Sequence, residues 1–373
     1  MKILLISNMY PDKEYPNYGI FVKNTEEILK SEGWTVDKAV LYKSHNKASK
    51  LFSYIFYYLK IITKGIMGGY DAIYVHYASH NAFPLIILKN LKRNSKIFTN
   101  VHGSDVVPEV KSQEKYQPYV KKLLHLSTII ITPSNYYKKL VAEKYQVEDT
   151  KIKVFPSGGV NKNIFHKKED RLNVFADMNL STDYKYLGFV GRLDVGKGWE
   201  IVLSAVKKMK ELGQFEGWKL IVVGKGSQQK DYEAMVAEYH LQNDIVYFPL
   251  LPQEKLSQIY NCLEVFCFPT TRKGESLGLV GLEAMACGVP VIGSKIGGLL
   301  DYIQDGQNGF LFDVGNDEDL KQKMIQFFAL DESKKVQMQK AALETAEMYE
   351  VEKVKPLLIG IFKGYQRSGS HVD

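Results

Sequence analysis

The chain is predicted to be an α/β protein built as two doubly wound parallel sheets. Three observations predict this. Apolar runs of strand length alternate with helical patterns from Lys2–Ser7 to Val291–Ile292. The alternation pauses in the polar, turn-rich stretch Asn161–Asp183 and then starts again. The 373 residues suffice for two domains of about 150 residues each.

Lys2–Ser7 reads as a fully buried parallel strand. Its apolar run is short and is followed by Asn8 and Pro11, which argues against a secretory leader. The next loop carries Pro11 and Pro16, and Gly19 opens a helix over Ile20–Leu29. Strand, loop and glycine at a helix start let a phosphate reach free backbone N–H groups, although loops often end in glycine. Gly33–Leu41, Asp71–His76, Lys96–Val101, Thr128–Thr132 and Lys151–Phe155 are the next strand regions, with a helix at Ala82–Leu91. After the linker, strands are predicted at Tyr186–Val190, Lys219–Val223, Ile245–Phe248, Val265–Phe268 and Val291–Ile292. Helices at Val195–Leu212, Gln229–Tyr239 and Gln253–Asn261 lie between them. Gly309–Phe312 is a late strand, Asp317–Phe328, Glu332–Met348 and Val351–Tyr365 are helical, and Ser368–Asp373 is a polar tail.

Lys and Arg number 49 against 42 Asp and Glu, a net charge of +7 whose location matters more than its size. No nucleic-acid-binding motif accompanies it, so no nucleic-acid partner is expected. Cys262, Cys267 and Cys287 form no ligand set and read as buried thiols. No run approaches the ~20 apolar residues of a membrane span, and a cytoplasmic protein is expected.

The stretch Pro269–Ile292 carries the most chemistry. A strand end leads into a loop closed by Gly274, and Gly278 opens a helix whose Leu279, Leu282, Ala286 and Val289 share one face. Glu275 stands before that helix and Glu283 inside it. Glu275 suits two roles: a cap that complements the helix dipole, or an acceptor of hydrogen bonds from sugar hydroxyls. Ligands of open α/β sheets bind beyond the carboxyl ends of strands. There Gly191-Arg192-Leu193-Asp194-Val195-Gly196-Lys197-Gly198 offers two cations to a departing diphosphate, or else is a solvated loop. It is not a Walker loop, because no Lys-Ser/Thr pair follows its glycines. Gly224-Lys225-Gly226 and Phe248–Leu251 follow other strands and could line the same cleft. His102 follows the fourth strand, and Asp105 either orients it or caps the next helix.

Glu275 and Glu283, followed by Ala284-Met285-Ala286-Cys287-Gly288-Val289-Pro290-Val291, resemble the signature of the retaining, nucleotide-sugar-dependent glycosyltransferases of family 4. The resemblance covers nearly the whole chain, most strongly Arg192–Ile292. It implies the GT-B type of fold, two Rossmann-like domains facing across a cleft. The domains would be residues 1–165 for the acceptor and 166–349 for the donor, with a helix at about 350–367 packing back on the first. It implies that Arg192 and Lys197 clamp the donor diphosphate and that Glu275 binds the donor sugar. Glu283 would bind the ribose, and His102 would sit beside the reacting carbon. The backbone of Ser276, Leu277, Gly278 and Leu279 would meet the diphosphate, and Gly19 would let the donor phosphate sit against the backbone. By their places after strands, Gly191 and Gly224 are expected to line the same donor site, with Leu251 against the base. Ser276 stands where the family often has Phe or Pro, which leaves backbone contacts unaffected. The expected reaction moves a hexosyl or N-acetylhexosaminyl unit from a UDP-sugar to a hydroxyl of a saccharide or lipid-linked oligosaccharide, in bacterial polysaccharide or glycoconjugate synthesis. No cofactor and no metal are expected. A non-catalytic membrane-docking subunit and a sugar-nucleotide epimerase are the alternatives.

His45, His76 and His80 lack the carboxylate spacing of a metal site and are expected to be structural. Asp317 and Asp319 read as helix-capping residues rather than a metal motif. Lys43–Lys64 is basic and aromatic. It fits an interfacial helix touching the inner membrane face and equally a core helix with its lysines in water. Lys111, Lys115, Lys121 and Lys122, mixed with Tyr116 and Tyr119, form a second such patch.

Overall fold

The structure is a computed structural model that describes residues 1–15, 18–43 and 47–369. Pro16 and His45, which entered the sequence reading, lie outside the described residues, as do positions 370–373 of the polar tail. The chain divides into two compact units. One holds Met1–Gly158 and the chain from Val354 onward, the other Gly159–Lys353.

The first unit is built from β1 (Lys2–Ser7), α1 (Ile20–Ser31), β2 (Thr35–Val40), α2 (Lys47–Met67), β3 (Ala72–His76), α3 (Ala78–Leu91) and β4 (Ile97–Asn100). It continues with α4 (Lys111–Glu114), α5 (Gln117–Leu126), β5 (Ile129–Thr132), α6 (Asn135–Tyr145) and β6 (Ile152–Val154). The sheet order is β2-β1-β3-β4-β5-β6, and every pair is parallel. Strand order reverses beside β1, which creates a switch point between β1 and β3. One face of the sheet is covered by α2, α3, α5 and α6, whose Tyr57, Leu85, Leu123 and Val141 pack with Leu4 and Val75.

The second unit runs α7 (Arg171–Asp177), β7 (Lys185–Val190), α8 (Trp199–Glu211), β8 (Trp218–Val223), α9 (Gln229–Glu238), β9 (Ile245–Phe248), α10 (Gln253–Cys262) and β10 (Val265–Phe268). There follow α11 (Leu279–Ala286), β11 (Val291–Ser294), β12 (Gly309–Phe312), α12 (Asp317–Phe328) and α13 (Glu332–Glu347). Its parallel sheet has the order β12-β11-β10-β7-β8-β9, with the switch point between β7 and β10. The last helix, α14 (Val351–Gly369), begins at the second unit and puts Val354, Leu358, Ile359 and Phe362 into the first unit's other core layer with Ile3, Leu5 and Phe98. The ring of Phe362 stacks on Phe98 at 4.6 Å.

Two element predictions are corrected. The stretch Asn161–Asp183 is not wholly irregular, because it contains α7. Asp170 caps that helix by accepting the Asn173 N–H, and Val174 and Phe175 are buried. Arg171 then donates to the carbonyls of Asn261 and Cys262 and pairs with Glu264 at 2.6 Å. The helix predicted from Val195 starts only at Trp199, because Gly198 adopts a left-handed φ of 80° and Val195 lies in an exposed loop. The three cysteines are free and buried, and burial pushes the Cys262 and Cys287 thiols up to about 12.

Candidate functional site

In the second unit a cavity of about 350 Å³ opens at the switch point, against the carboxyl ends of β7, β8 and β10. Gly191 and Arg192 reach it from the end of β7, Gly224 from β8, and Leu251 from beyond β9. Lys197, Glu275, Gly278 and Leu279 complete the set of predicted residues that line it. Ser276, Leu277 and Glu283 are not among its lining residues.

The loop after β7 is fixed by a close approach. A Cβ on Gly198 would fall 1.9 Å from the Pro269 carbonyl oxygen, so only glycine lets this loop lie against the loop after β10. That approach sets Lys197 beside Glu275, with Nζ 3.0 Å from Oε2. Both side chains are mostly shielded, at 18% and 15% exposure. The Thr270 hydroxyl lies 3.4 Å from the same Glu275 oxygen. Arg192 is largely exposed and pairs with Asp194 at 2.6 Å. Asp194 also accepts the backbone N–H and hydroxyl of Ser227, each at 2.8 Å, which ties the loop after β7 to the loop after β8. Those hydrogen bonds hold the Asp194 carboxyl below its usual range.

The helix α11 points its N-terminus at this cavity. Gly278 is its N-cap, in the left-handed conformation, and no side chain caps it. The Gly281 N–H donates to the Gly278 carbonyl at 3.0 Å, which leaves the N–H groups of Leu279 and Val280, two residues that line the cavity, as the ones placed to meet an anion. Behind them the Gly298 N–H donates to the Glu275 carbonyl at 3.1 Å and fixes the loop. Glu283 sits one turn inside α11, and burial raises its carboxyl to about 7, with the Tyr260 phenol pulling the other way.

Gly19, His102 and Asp105 belong to the first unit. Gly19 is the left-handed N-cap of α1, and the Phe21 ring lies 4.8 Å from the His102 ring. The His102 ring lies against Tyr77, at 4.8 Å, and edge to edge with His76, at 5.1 Å. Nδ1 of His76 lies 2.9 Å from Nε2 of His102. Nε2 of His76 is buried and has no partner. A buried N–H without an acceptor costs more than a bare lone pair, so the proton of His76 belongs on Nδ1, donated to His102. His102 then carries its own proton on Nδ1. Burial lowers the His102 imidazole to about 3 and His76 well below its usual value, so both rings are neutral.

Asp105 does something other than either predicted role. Its Oδ1 accepts the backbone N–H groups of His102 and Gly103, at 2.9 and 3.0 Å, rather than the ring. Its Oδ2 accepts the Ala78 N–H at 2.9 Å, so the helix it caps is the earlier α3. His76, expected to be structural, thus abuts the one histidine picked for chemistry. Its place at a strand's carboxyl end was the signal that could have found it. Asp194 and Thr270 were also not singled out; Thr270 gives no signal in sequence.

Among the described residues no three His, Cys, Asp or Glu side chains gather so as to hold a metal ion. Asn316, not Asp317, accepts the capping N–H of α12, from Asp319. Asp317 instead pairs with Ser204 and with Lys208.

Residues 170–345 match the family described as glycosyl transferases group 1, and residues 5–159 match glycosyltransferase family 4. The chain belongs to the GT-B glycosyltransferases of these groups. An uncharacterized glycosyltransferase of Methanocaldococcus jannaschii is 28% identical over 72% of this chain and 68% of that protein. The N-acetyl-alpha-D-glucosaminyl L-malate synthase of Bacillus anthracis is 24% identical over 76% of this chain and 72% of its own length. A D-inositol 3-phosphate glycosyltransferase of Acidothermus cellulolyticus is 31% identical, but the match spans only 39% of that protein and 46% of this one. In fold, the chain matches the sucrose-phosphate synthase of Thermosynechococcus elongatus with a TM-score of 0.80, 19% identity, and coverage of 99% of this chain and 100% of that one. Anabaena HepE, solved in complex with UDP, matches with a TM-score of 0.77 and 16% identity over 98% of this chain and 100% of its own.

Proposed function

We propose that this glycosyltransferase moves a hexosyl or N-acetylhexosaminyl unit from a UDP-sugar to an acceptor hydroxyl with retention of anomeric configuration. The observation that carries the reading is the cavity wall where Lys197, Glu275 and the uncapped start of α11 meet. The diphosphate gains negative charge as its bond to the sugar breaks. Lys197 supplies a fixed cation, and the first N–H groups of α11 supply fixed dipoles. Arg192, exposed and paired with Asp194, can exchange that carboxylate for a phosphate and grip it bidentately. Glu275 is left to accept hydrogen bonds from sugar hydroxyls, and Leu251 offers an apolar surface to the base. Glu283 is assigned to the ribose.

For the chemical step we infer a front-face displacement. The bond from the anomeric carbon to the diphosphate oxygen breaks while the acceptor oxygen bonds to the same face. The acceptor proton passes to the departing phosphate oxygen, so configuration is kept and no enzyme nucleophile is needed. His102 and Gly19 enter through the family resemblance. A neutral His102 acts by hydrogen bonding and not as a cation. The acceptor is a saccharide or a lipid-linked oligosaccharide, in polysaccharide or glycoconjugate synthesis, and the diphosphate is held without a metal or cofactor. UDP complexes of the fold neighbour HepE support the choice of nucleotide.

The test is a panel of nucleotide sugars. A UDP-sugar should raise the melting temperature and, with acceptor, release UDP and give a product whose anomeric proton coupling matches that of the donor. Inverted product would end the retaining reading, and stabilisation by no nucleotide sugar would end the assignment of the cavity.

A further inference from the structure

The helix α2 turns a stripe of large apolar side chains to water. Leu51, Phe52, Ile55, Phe56 and Leu59 follow i, i+1, i+4, i+5, i+8 spacing and so share one face. They are between 48% and 69% exposed. The other face is the one the fold uses, with Tyr57 and Ile61 buried in the core. An apolar face left uncovered on an already packed helix marks a contact surface.

The stripe extends beyond α2. The Tyr58 ring meets Phe83 of α3 at 6.4 Å, and Phe83 meets Tyr119 of α5 at 6.5 Å. Phe83 and Tyr119 are themselves about half exposed. The two basic aromatic patches seen separately in the sequence are therefore one surface, joined by a residue that belonged to neither. Its charge is predominantly positive, with Glu114 of α4 the acid inside the second patch. α2, α3 and α5 contain no Asp or Glu at all, while Lys60, Lys64, Lys121 and Lys122 flank the aromatic ridge. No described helix is long and apolar enough to cross a membrane.

We propose that this face docks on the surface of an anionic phospholipid bilayer. α2 lies in the interface with its phenylalanines among the acyl chains, and the lysines meet the headgroup phosphates. A second copy of the chain is disfavoured because it would set these lysines against one another. A protein partner ordinarily meets a rim of evenly mixed charge, and here Lys60, Lys64, Lys111, Lys115, Lys121 and Lys122 outnumber Glu114. The proposal stands apart from the transfer reaction and is tested without donor.

The experiment is flotation of the full chain with phosphatidylglycerol-rich vesicles and with pure phosphatidylcholine vesicles. Binding is expected to the first and to be at least tenfold weaker to the second. Raising salt from about 0.1 M to 1 M shortens the Debye length from about 10 Å to 3 Å and should release much of the bound protein. Phe52→Ser with Phe56→Ser should abolish flotation without lowering the melting temperature, since both rings are exposed in the free protein. Lys60→Gln with Lys64→Gln should weaken it by roughly fivefold per charge, about 1 kcal/mol each. UDP-induced stabilisation should be unchanged in all variants, which separates failure of this proposal from failure of the transfer reading. Wild-type protein that stays off anionic vesicles would overturn it. So would flotation unaffected by the double serine variant, or a dimer that the same variant splits.

Discussion

Nδ1 of His76 and Nε2 of His102 stand 2.9 Å apart, and the two rings lie edge to edge with only 20° between their planes. The orphan Nε2 of His76 fixes which atom carries the shared proton. Two-dimensional ¹⁵N spectra should show both rings as neutral Nδ1–H tautomers. The sign follows from burial: the folded pKa values lie below the free value of about 6.5, so stability from the neutral pair is full above that pH. It is lost as pH falls toward about 3. Neither ring should titrate between about pH 5 and 8; a histidine titrating there with the His102 shifts would refute the pairing.

His76→Phe keeps an aromatic ring at this position and removes the hydrogen bond. It should cost about 1 kcal/mol in a denaturant titration, the usual worth of such a bond. It should also shift the His102 ¹⁵N resonances, a change that a loss of packing alone would not produce.

Lys197→Ala should lower turnover by about 100-fold or more, as loss of one preorganised charge at a leaving group does. It also leaves Glu275 unpaired in a mostly shielded site. Steady-state kinetics of the single variants and of Lys197→Ala with Glu275→Gln should be strongly non-additive. Additive losses would mean that the pair does not act as a unit.

Glu283 gives a pH signature of the opposite sense to the histidines. Its folded pKa, about 7, is raised above the ordinary 4.5 by burial. Stability is therefore highest below about pH 4.5 and falls as pH rises toward about 7, then levels off. Glu283→Gln removes the penalty. Its advantage in unfolding free energy over wild type should open between those values and amount to at most about 3 kcal/mol. Equal pH profiles for the two proteins would place Glu283 in water.

Gly224→Ala probes the backbone wall of the cavity. The new Cβ would fall 1.8 Å from the Gly191 carbonyl oxygen, at a φ of 152°. Strain of this kind costs on the order of 2 kcal/mol or more. Denaturation should register it, and nucleotide-induced stabilisation should be reduced with it.

Much of this was legible in the chain. Strands buried on both faces carry unbroken apolar runs, so β1 was read to the residue and β12 likewise. The cavity residues were legible because they follow strands: Gly191 and Gly224 come directly after β7 and β8, and Glu275 lies in the loop between β10 and α11. Contacts between distant segments were not. Nothing near Asp105 says that its carboxylate reaches back to Ala78, or that Asp194 binds Ser227. α7 escaped because a two-turn helix in a polar stretch is held by its cap and by Arg171, not by a periodic apolar face. Phe83, the ring that joins two surface patches, looked like part of a core helix, and only packing decided that it faces out.

The helix α14 contributes Val354, Leu358, Ile359 and Phe362 to the interior built on Ile3 and Leu5. The opening strand therefore leaves the ribosome more than three hundred residues before the helix that covers it. During synthesis the second unit can complete itself first, while the half translated earlier waits with part of one side of its sheet, beyond what α1 covers, still bare. A premature stop codon near position 350 would thus unfold the beginning of the protein and spare its middle.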